Sequence, residues 1–451
     1  MRGISVRKDL HMLKCRLGKP AQYRQFKIAC SHDKMSVEEL AAFNFSKRLE
    51  TLKFAYENCD YYRHLYDAAG LEPGDVKTEE DWAKVPMLTR DALRTNFEGL
   101  QIRNLKARGR YRLWLTGGST GQPSKVIKDD DFASPPLGWR GLGWAGVPLG
   151  QNQATVMRAH PCGLKRKLVS FLSHYPSHAI YLDASEMTED SMSRFAEEWK
   201  KYPPYIVTAY AGGLQQFALH CLRKGIVLPS PRAIFSTAAP CDLALRKFLH
   251  KVFAAPVFDS YVATEANPMA GQCRCQAEQD HAALHIHSDY RHLEFVDENG
   301  IPMPTGEEGD ILVTDMGDRA FPIVRYRLGD RGRALPVRCP CGLPYPLMDA
   351  VRGRMAYHIY LEKGVLTGGW TMVFEHYPNA VHGFQIHQFA DKSVTLSVVL
   401  NREYADAKRE VGIVAEEMRK KLGALPLRVE YVDFIPHDRG KLKYIICDVK
   451  E

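Results

Sequence analysis

Between residues 205 and 258 the chain alternates short β-prone runs with helical stretches, and no other feature narrows its fold as far. Residues 205–210, 233–237 and 255–258 read as strands, and residues 214–224 and 242–253 between them read as helices. A strand that crosses over a helix before the next strand begins must pair in parallel, with helices covering the sheet faces. A further helix is expected over 187–202, and a short strand over 111–115 ends in a glycine-rich turn. After about residue 284 the pattern changes. Residues 284–296 and 310–314 alternate as strands around the turn Glu298-Asn299-Gly300, which predicts an antiparallel subdomain over about 284–350. From Arg354 a third pattern follows: strands at 384–389 and 394–400 joined by Asp391-Lys392, an amphipathic helix over 403–422 stopped by Gly423, and a strand over 427–434. Residues 37–69 read as helical, with Leu40, Phe43, Leu49, Leu52, Ala55, Cys59, Tyr62 and Leu65 spaced by three and four and Gly70 as a stop. The expected class is α/β. A large N-terminal domain (residues 1–353) would carry mixed and parallel sheets plus the antiparallel subdomain, and a small, mobile α+β domain (residues 354–451) would follow.

Composition removes several function classes. The chain has 451 residues, 45% apolar and 25% charged, an ordinary globular mixture that excludes wholesale disorder. No apolar run reaches the roughly 18–20 residues of a membrane span. The basic start is followed by Lys14, Arg16 and Lys19 rather than an apolar core, so no secretory signal is expected. Eleven cysteines in a chain this long do not make a disulfide scaffold, and a reducing, cytoplasmic setting is expected. The net charge of +8 is spread along the chain and suits anionic small molecules rather than nucleic acid.

The densest chemical signal is Thr116-Gly117-Gly118-Ser119-Thr120-Gly121-Gln122-Pro123-Ser124-Lys125, directly after a strand. Three glycines let a backbone approach a polyphosphate so that successive N–H groups point at its oxygens. Ser119 and Thr120 add hydroxyl donors and Lys125 adds charge. The loop lacks the Gly-Lys-Ser/Thr of a Walker motif. It also satisfies the Gly-x-Ser-x-Gly elbow of α/β-hydrolases, with Ser119 as nucleophile, which demands a helix immediately after the serine. Pro123, Val126 and Ile127 disfavour that helix, and the hydrolase stands as a rival reading. A second glycine cluster, Gly141-Leu-Gly-Trp-Ala-Gly146, fits the dinucleotide fingerprint in spacing alone. No strand precedes it, and Lys165-Arg166-Lys167 occupies the place of the required acid, so a helix or turn packed closely through its glycines is expected.

Further segments fall in a telling order: Ser236-Thr-Ala-Ala-Pro240, Ser260-Tyr261-Val262-Ala263-Thr264-Glu265, Arg325-Tyr326-Arg327-Leu328-Gly329-Asp330, Val351-Arg-Gly-Arg354 and Pro436-His437-Asp438-Arg439-Gly440-Lys441. With Asn58-Cys-Asp-Tyr-Tyr-Arg63 and Val85-Pro86-Met-Leu-Thr89 near the start, the chain resembles the adenylate-forming superfamily along nearly its whole length. The match is to the phenylacetate–CoA ligase and CapK-like branch. The resemblance implies ATP and Mg2+ as cofactors, an acyl-adenylate as intermediate, and a carboxylic acid, aryl or arylacetic, as substrate. The acceptor would be CoA or, as the alternative, an amine; a homodimer is left open. It also implies roles. Thr116, Gly117, Gly118, Ser119, Thr120, Gly121 and Lys125 would hold the phosphates, and Ala238, Ala239 and Pro240 would line the adenine. Ser260 and Tyr261 would pack beside the nucleotide and the acid, Thr264 would touch a phosphate, and Glu265 would bind magnesium. Asp330 would take the ribose hydroxyls with Arg354 nearby, and Lys441 would bridge the attacking carboxylate and the α-phosphate.

Two departures bear on that assignment. Val262 stands where the superfamily usually has glycine, and Met-Ala-Tyr-His follows Gly353-Arg354 in place of an acidic hinge pair; both bear on the acyl pocket and on CoA as acceptor. Separately, Cys273-Arg-Cys275 and Cys339-Pro-Cys341 form two Cys-x-Cys pairs with His281 and His285 just after the first. Thiolates so close together suit a tetrahedral zinc. The expected ligands are Cys275, His281, Cys339 and Cys341, with His285 or Cys273 as substitutes.

Overall fold

The structure is a computed structural model that describes residues 2–449 except 109–110, 116–123, 130–134, 159–171, 173, 239–240, 281–282, 350, 352–357, 363–364, 368–369, 371–372, 375–376, 378, 439–440 and 443. It is an α/β protein of two compact units, each made from two stretches of chain: Met1–Leu149 with Ser260–Arg352, and Gly150–Asp259 with Gly353–Glu451.

The first unit begins with four helices, Arg2–Gly18, Pro20–His32, Val37–Asn58 and Asp60–Ala68. Sequence periodicity merges the last two into one helix. The chain breaks them at Cys59, whose extended backbone (φ −121°, ψ 125°) ends one helix and starts the next. Ser36 opens the third with a capping box to Glu39, which satisfies helix N–H groups otherwise without partners. These helices pack Leu52, Ala55, Tyr62 and Tyr66 against Leu293, Ile311, Val313 and Ile323. That second set lies on an antiparallel sheet of Arg291–Val296, Gly309–Asp315 and Ile323–Gly332. The single strand expected over 284–296 is therefore two strands in different sheets, Leu284–Ile286 and Arg291–Val296. The chain turns between them to seat Asp289, fully buried, under Arg140 and His32. The glycines of 141–146 fall at the end of the helix Pro135–Trp144 and in the turn after it. A Cβ at Gly138, Gly141, Gly143 or Gly146 would meet open space, so close packing does not explain them. Instead Trp144 stacks on His287 at 4.8 Å between centroids.

The second unit carries the expected parallel sheet, ordered Ala179–Asp183, Gln153–Met157, Ile206–Tyr210, Ala233–Thr237 and then Val257–Asp259 of the next strand. The helices Glu189–Lys201, Ala211–Arg223 and Leu243–Phe253 cover it with an aromatic core of Phe195, Trp199, Phe217 and Phe253. The C-terminal part of this unit is a small α+β assembly. Its sheet runs in the order Leu427–Tyr431, Val394–Leu400, Val381–Gln388, Ile445–Cys447, with the helix Ala407–Leu422 packed through Val411, Val414 and Met418. That helix starts four residues later than its sequence pattern, because Asn401 first folds 401–407 into turns that cap Glu403 and Tyr404.

Candidate active site

The strand Tyr111–Leu115 pairs antiparallel with Lys125–Asp129 in unbroken register, Leu115 opposite Lys125. The glycine-rich segment is thus the connection of a hairpin. Thr116, Gly117, Gly118, Ser119, Thr120 and Gly121 lie outside the described residues. The strand Lys125–Asp129 follows the segment, where a hydrolase elbow requires a helix running on from the serine, and this weighs against that rival. Lys125 is exposed, with its ammonium 5.8 Å from the centre of the Phe97 ring.

The strand Val257–Tyr261 ends at Tyr261, where Ser260 and Tyr261 pair with Gly271 and Ala270. The Tyr261 hydroxyl donates to Asp330 Oδ2 at 2.9 Å. Asp330 reaches that position through irregular pairing of the strand Ile323–Gly332. Asp310 faces Arg331 while Leu312 faces Arg327, leaving surplus residues that include Gly329 at φ +79°. Such bulges re-aim side chains, and a left-handed backbone favours glycine. A second register shift in the same strand places Arg325 at φ +44°. Arg325 is buried and donates to Glu294 and to the carbonyls of Ala83, Val85 and Gly300. In the motif Arg325–Asp330 one end therefore braces the core and the other holds the Tyr261 hydroxyl.

After Tyr261 the chain turns back on itself, with Met269 N–H bonded to the Tyr261 carbonyl and Ala266 N–H to that of Ala263. This turn carries Thr264, partly buried, and Glu265, 4% exposed. Glu265 Oε1 accepts from the Tyr326 hydroxyl at 3.4 Å. A buried carboxylate beside a threonine hydroxyl offers the hard oxygen donors that magnesium takes, so these residues fit the implied metal.

In the second unit, Ala238 follows the strand Ala233–Thr237 at φ +73°; Ala239 and Pro240 lie outside the described residues, as does Arg354. Lys441 opens the two-residue strand Lys441–Leu442 and pairs with Asp438 in a tight antiparallel hairpin.

The cysteine segments do converge, with a different membership. Cys273, His285, Cys339 and Cys341 bring four ligand atoms within 4.8 Å of one another. The Sγ atoms of Cys273 and Cys339 are 3.5 Å apart, and His285 Nε2 lies 3.4 Å from the Sγ of both Cys273 and Cys341. Tetrahedral zinc with bonds of about 2.3 Å to sulfur spaces its thiolates by about 3.8 Å, so the group fits the ion. His285 Nδ1 faces the Tyr345 carbonyl at 3.4 Å, the hydrogen bond that orients a metal-binding imidazole through its other nitrogen. Burial lowers His285 to about 4, against a weaker opposing pull from that carbonyl, which leaves it neutral near pH 7 and able to ligate. Burial pushes the Cys339 thiol up. Hydrogen bonds from the Cys341 backbone and the Gln276, Cys341 and Cys273 side chains outweigh it and hold it below its ordinary value. Cys273, first named as a substitute, replaces Cys275 because the short helix Arg274–Ala277 decides which residues face Cys339. Cys273 caps it, and Gln276 three residues on donates to Cys339 Sγ at 3.3 Å. His285, the expected substitute, is fully buried on the strand Leu284–Ile286 opposite Gly271 and Leu347 and belongs to the group; His281 lies outside the described residues.

Known proteins agree with this architecture. A family model described as the CapK C-terminal domain matches residues 361–448. The phenylacetate-coenzyme A ligase of Escherichia coli (strain K12) is 27% identical over 307 residues, 67% of this chain and 68% of the relative. The protein of the same name from Thermus thermophilus is 23% identical over 323 residues, 70% of this chain and 71% of the relative. The chain is similar to phenylacetate-coenzyme A ligases over about two thirds of its length, and its C-terminal part matches the CapK C-terminal domain. Its fold is shared with 2-hydroxyisobutyryl-CoA ligase in the postadenylation state in complex with R3-HIB-AMP, at a TM-score of 0.73 and 15% identity over 92% of this chain and 90% of that one. Val262 is partly buried between Tyr261 and Ala263. Sequence reasoning missed Lys128, whose ammonium donates to the Glu265 carbonyl at 2.5 Å. Lys128 shares the strand Lys125-Val-Ile-Lys-Asp129 with two other charged residues and forms no motif, and its one signal is its place just beyond the glycine loop.

Proposed function

We propose that the protein is an AMP-forming ligase that activates a carboxylic acid with ATP as an acyl-adenylate, releasing pyrophosphate, and passes the acyl group to CoA. The observation that carries this reading is the Tyr261–Asp330 hydrogen bond, which fixes a nucleotide-side aromatic to the carboxylate assigned to the ribose, three residues from Thr264 and four from Glu265. Displacement at phosphorus leaves little covalent work for protein groups, so positioning and charge stabilisation carry the chemistry. The glycine segment is assigned to the phosphates and Asp330 to the ribose hydroxyls. Magnesium, when bound, neutralises charge on the phosphates, and Thr264 and Glu265 would hold it. Lys441 is assigned to the attacking carboxylate and the α-phosphate, holding two negative groups together as the bond forms. The domain from about residue 354 onward is assigned the role of a lid that completes the reaction site and limits hydrolysis of the adenylate. Zinc on Cys273, His285, Cys339 and Cys341 would brace the first unit and take no part in the reaction.

Transfer to an amine is the second reading, favoured by the missing acidic pair after Arg354. An aryl or arylacetic acid is the first substrate class to test, and Val262 predicts a preference for the slimmer members. A panel of carboxylates scored by pyrophosphate release, with and without CoA and with amines, tests all three points. Acid-dependent release supports the reading. Stoichiometric fluorophosphonate labelling of Ser119 without ATP binding would overturn it in favour of the hydrolase.

A further inference from the structure

The turn that carries Glu265 is held from behind by an internal charge cluster. Lys128 Nζ donates to the Glu265 carbonyl at 2.5 Å and lies 3.3 Å from Asp315 Oδ2 and 3.6 Å from Asp318 Oδ2. Arg291 Nε and Nη2 donate to the next two carbonyls, those of Ala266 at 3.2 Å and Asn267 at 3.1 Å, while its Nη1 bonds Asp315 Oδ1 at 2.5 Å. Three consecutive carbonyls are thus gripped by two cations that share one carboxylate. Asp315 is itself fixed, since its Oδ1 also accepts from the Gly317 and Asp318 N–H groups. Asp318 Oδ2 in turn accepts from Asp129 N–H at 3.3 Å. Lys128 and Asp129 end the strand that leaves the glycine-rich segment, so that strand and the Glu265 turn are tied to the same pair of aspartates.

The side chains of Arg291 and Asp315 are 4% and 1% exposed, and that of Lys128 is 14% exposed. Buried ion clusters contribute little net stability relative to apolar packing, and they are best attested where one geometry must be selected. The geometry selected here is that of 265–267.

We infer that Lys128, Arg291 and Asp315 are positioning residues for the proposed reaction, acting through the backbone of 265–267 to set the Glu265 carboxylate where it receives the metal of the metal–ATP complex. This inference rests on the proposed function and names how its metal site is held. Groups that orient metal ligands from behind typically change metal affinity by about 10–100-fold when removed.

The test uses Mn2+ as the metal and ATP as the nucleotide, with Mn2+ binding read by electron paramagnetic resonance on the full chain. Lys128→Met should weaken Mn2+ in the ATP complex by about tenfold or more, in a chain that still folds but with a lowered thermal midpoint, since Asp315 and Asp318 lose a cation. Lys128→Arg should recover most of the affinity, and Lys128→Gln, which keeps a donor for the carbonyl without the charge, should fall between. Unaltered Mn2+ affinity in folded Lys128→Met overturns the inference while leaving the proposed function in place. Failure of both Lys128→Met and Lys128→Gln to fold assigns the cluster a structural role and also overturns it. No binding of Mn2+ and ATP by the unaltered chain overturns the inference and the proposed function together.

Discussion

Exchanging Cys273 and Cys275 for serine, one at a time, separates two ligand sets that differ by two residues. Cys273 Sγ lies within 3.5 Å of Cys339 Sγ and His285 Nε2, whereas Cys275 is outside the group of four. A serine at 273 removes one of three thiolates and substitutes a harder, more strongly protonated oxygen, which soft-ligand metals bind poorly. A metal that binds the folded state at a thousandfold excess over its dissociation constant stabilises by about 4 kcal/mol. For a body of 150–250 residues each kcal/mol shifts the midpoint by about 2–4 °C, so loss of the metal should lower it by about 8–16 °C. The assay pairs zinc content by plasma emission with a thermal scan. Unaltered protein should hold about one zinc per chain, as should Cys275→Ser, while Cys273→Ser should lose metal and stability together. The same zinc content and midpoint in Cys273→Ser, or their loss in Cys275→Ser, would refute the geometric argument.

Lys441→Ala should lower adenylate formation by about 10²–10³-fold, the typical cost of removing a preorganised cation at developing charge, with ATP binding retained and Lys443→Ala as the matched control; full activity would remove this loop from the site. Tyr261→Phe deletes a hydrogen bond to a carboxylate, an interaction of about 1.5–3 kcal/mol, and should raise the KM for ATP by about tenfold and lower the thermal midpoint by about 3–12 °C; an unchanged KM would show that Asp330 does not depend on Tyr261. Acid should destabilise the fold through its buried histidines. Burial, then Arg48 and Arg325, hold His292 well below its ordinary value of 6.5, and burial, then Arg140, does the same to His287. The unfolded chain therefore binds more protons below pH 6.5, and stability should fall as pH drops past that value, by at most about 1.4 kcal/mol per pH unit per histidine. A midpoint that is flat between pH 7.5 and 5.5 would contradict this.

What the sequence disclosed follows from how local each signal is. The parallel strands and their helices are read from periodicity, because each element's burial is written in its own spacing. The first two helices were invisible because their cationic residues leave no continuous apolar stripe. Their anchoring is distant in sequence: Ala29 takes a hydrogen bond from Arg140, and His32 one with Asp289, through pairings of more than a hundred residues. The split of 284–296 has the same cause, since the buried Asp289 finds its partners Arg140 and His32 far away in the chain. The choice of Cys273 over Cys275 depended on a four-residue helix, and Lys128 acts on a carbonyl 137 residues away. The motif residues Tyr261 and Asp330 were legible as a set because their resemblance to the family is carried by runs of adjacent residues rather than by single side chains.

The central claim is that the acid's own carboxylate attacks the α-phosphate. It is tested most directly by supplying a carboxylate that supports pyrophosphate release with both oxygens as 18O, together with ATP and CoA, and weighing the AMP formed. Acyl transfer from an adenylate leaves one carboxylate oxygen behind on phosphorus, so the account predicts AMP carrying one 18O. Unlabelled AMP, or label found in inorganic phosphate instead, would contradict it.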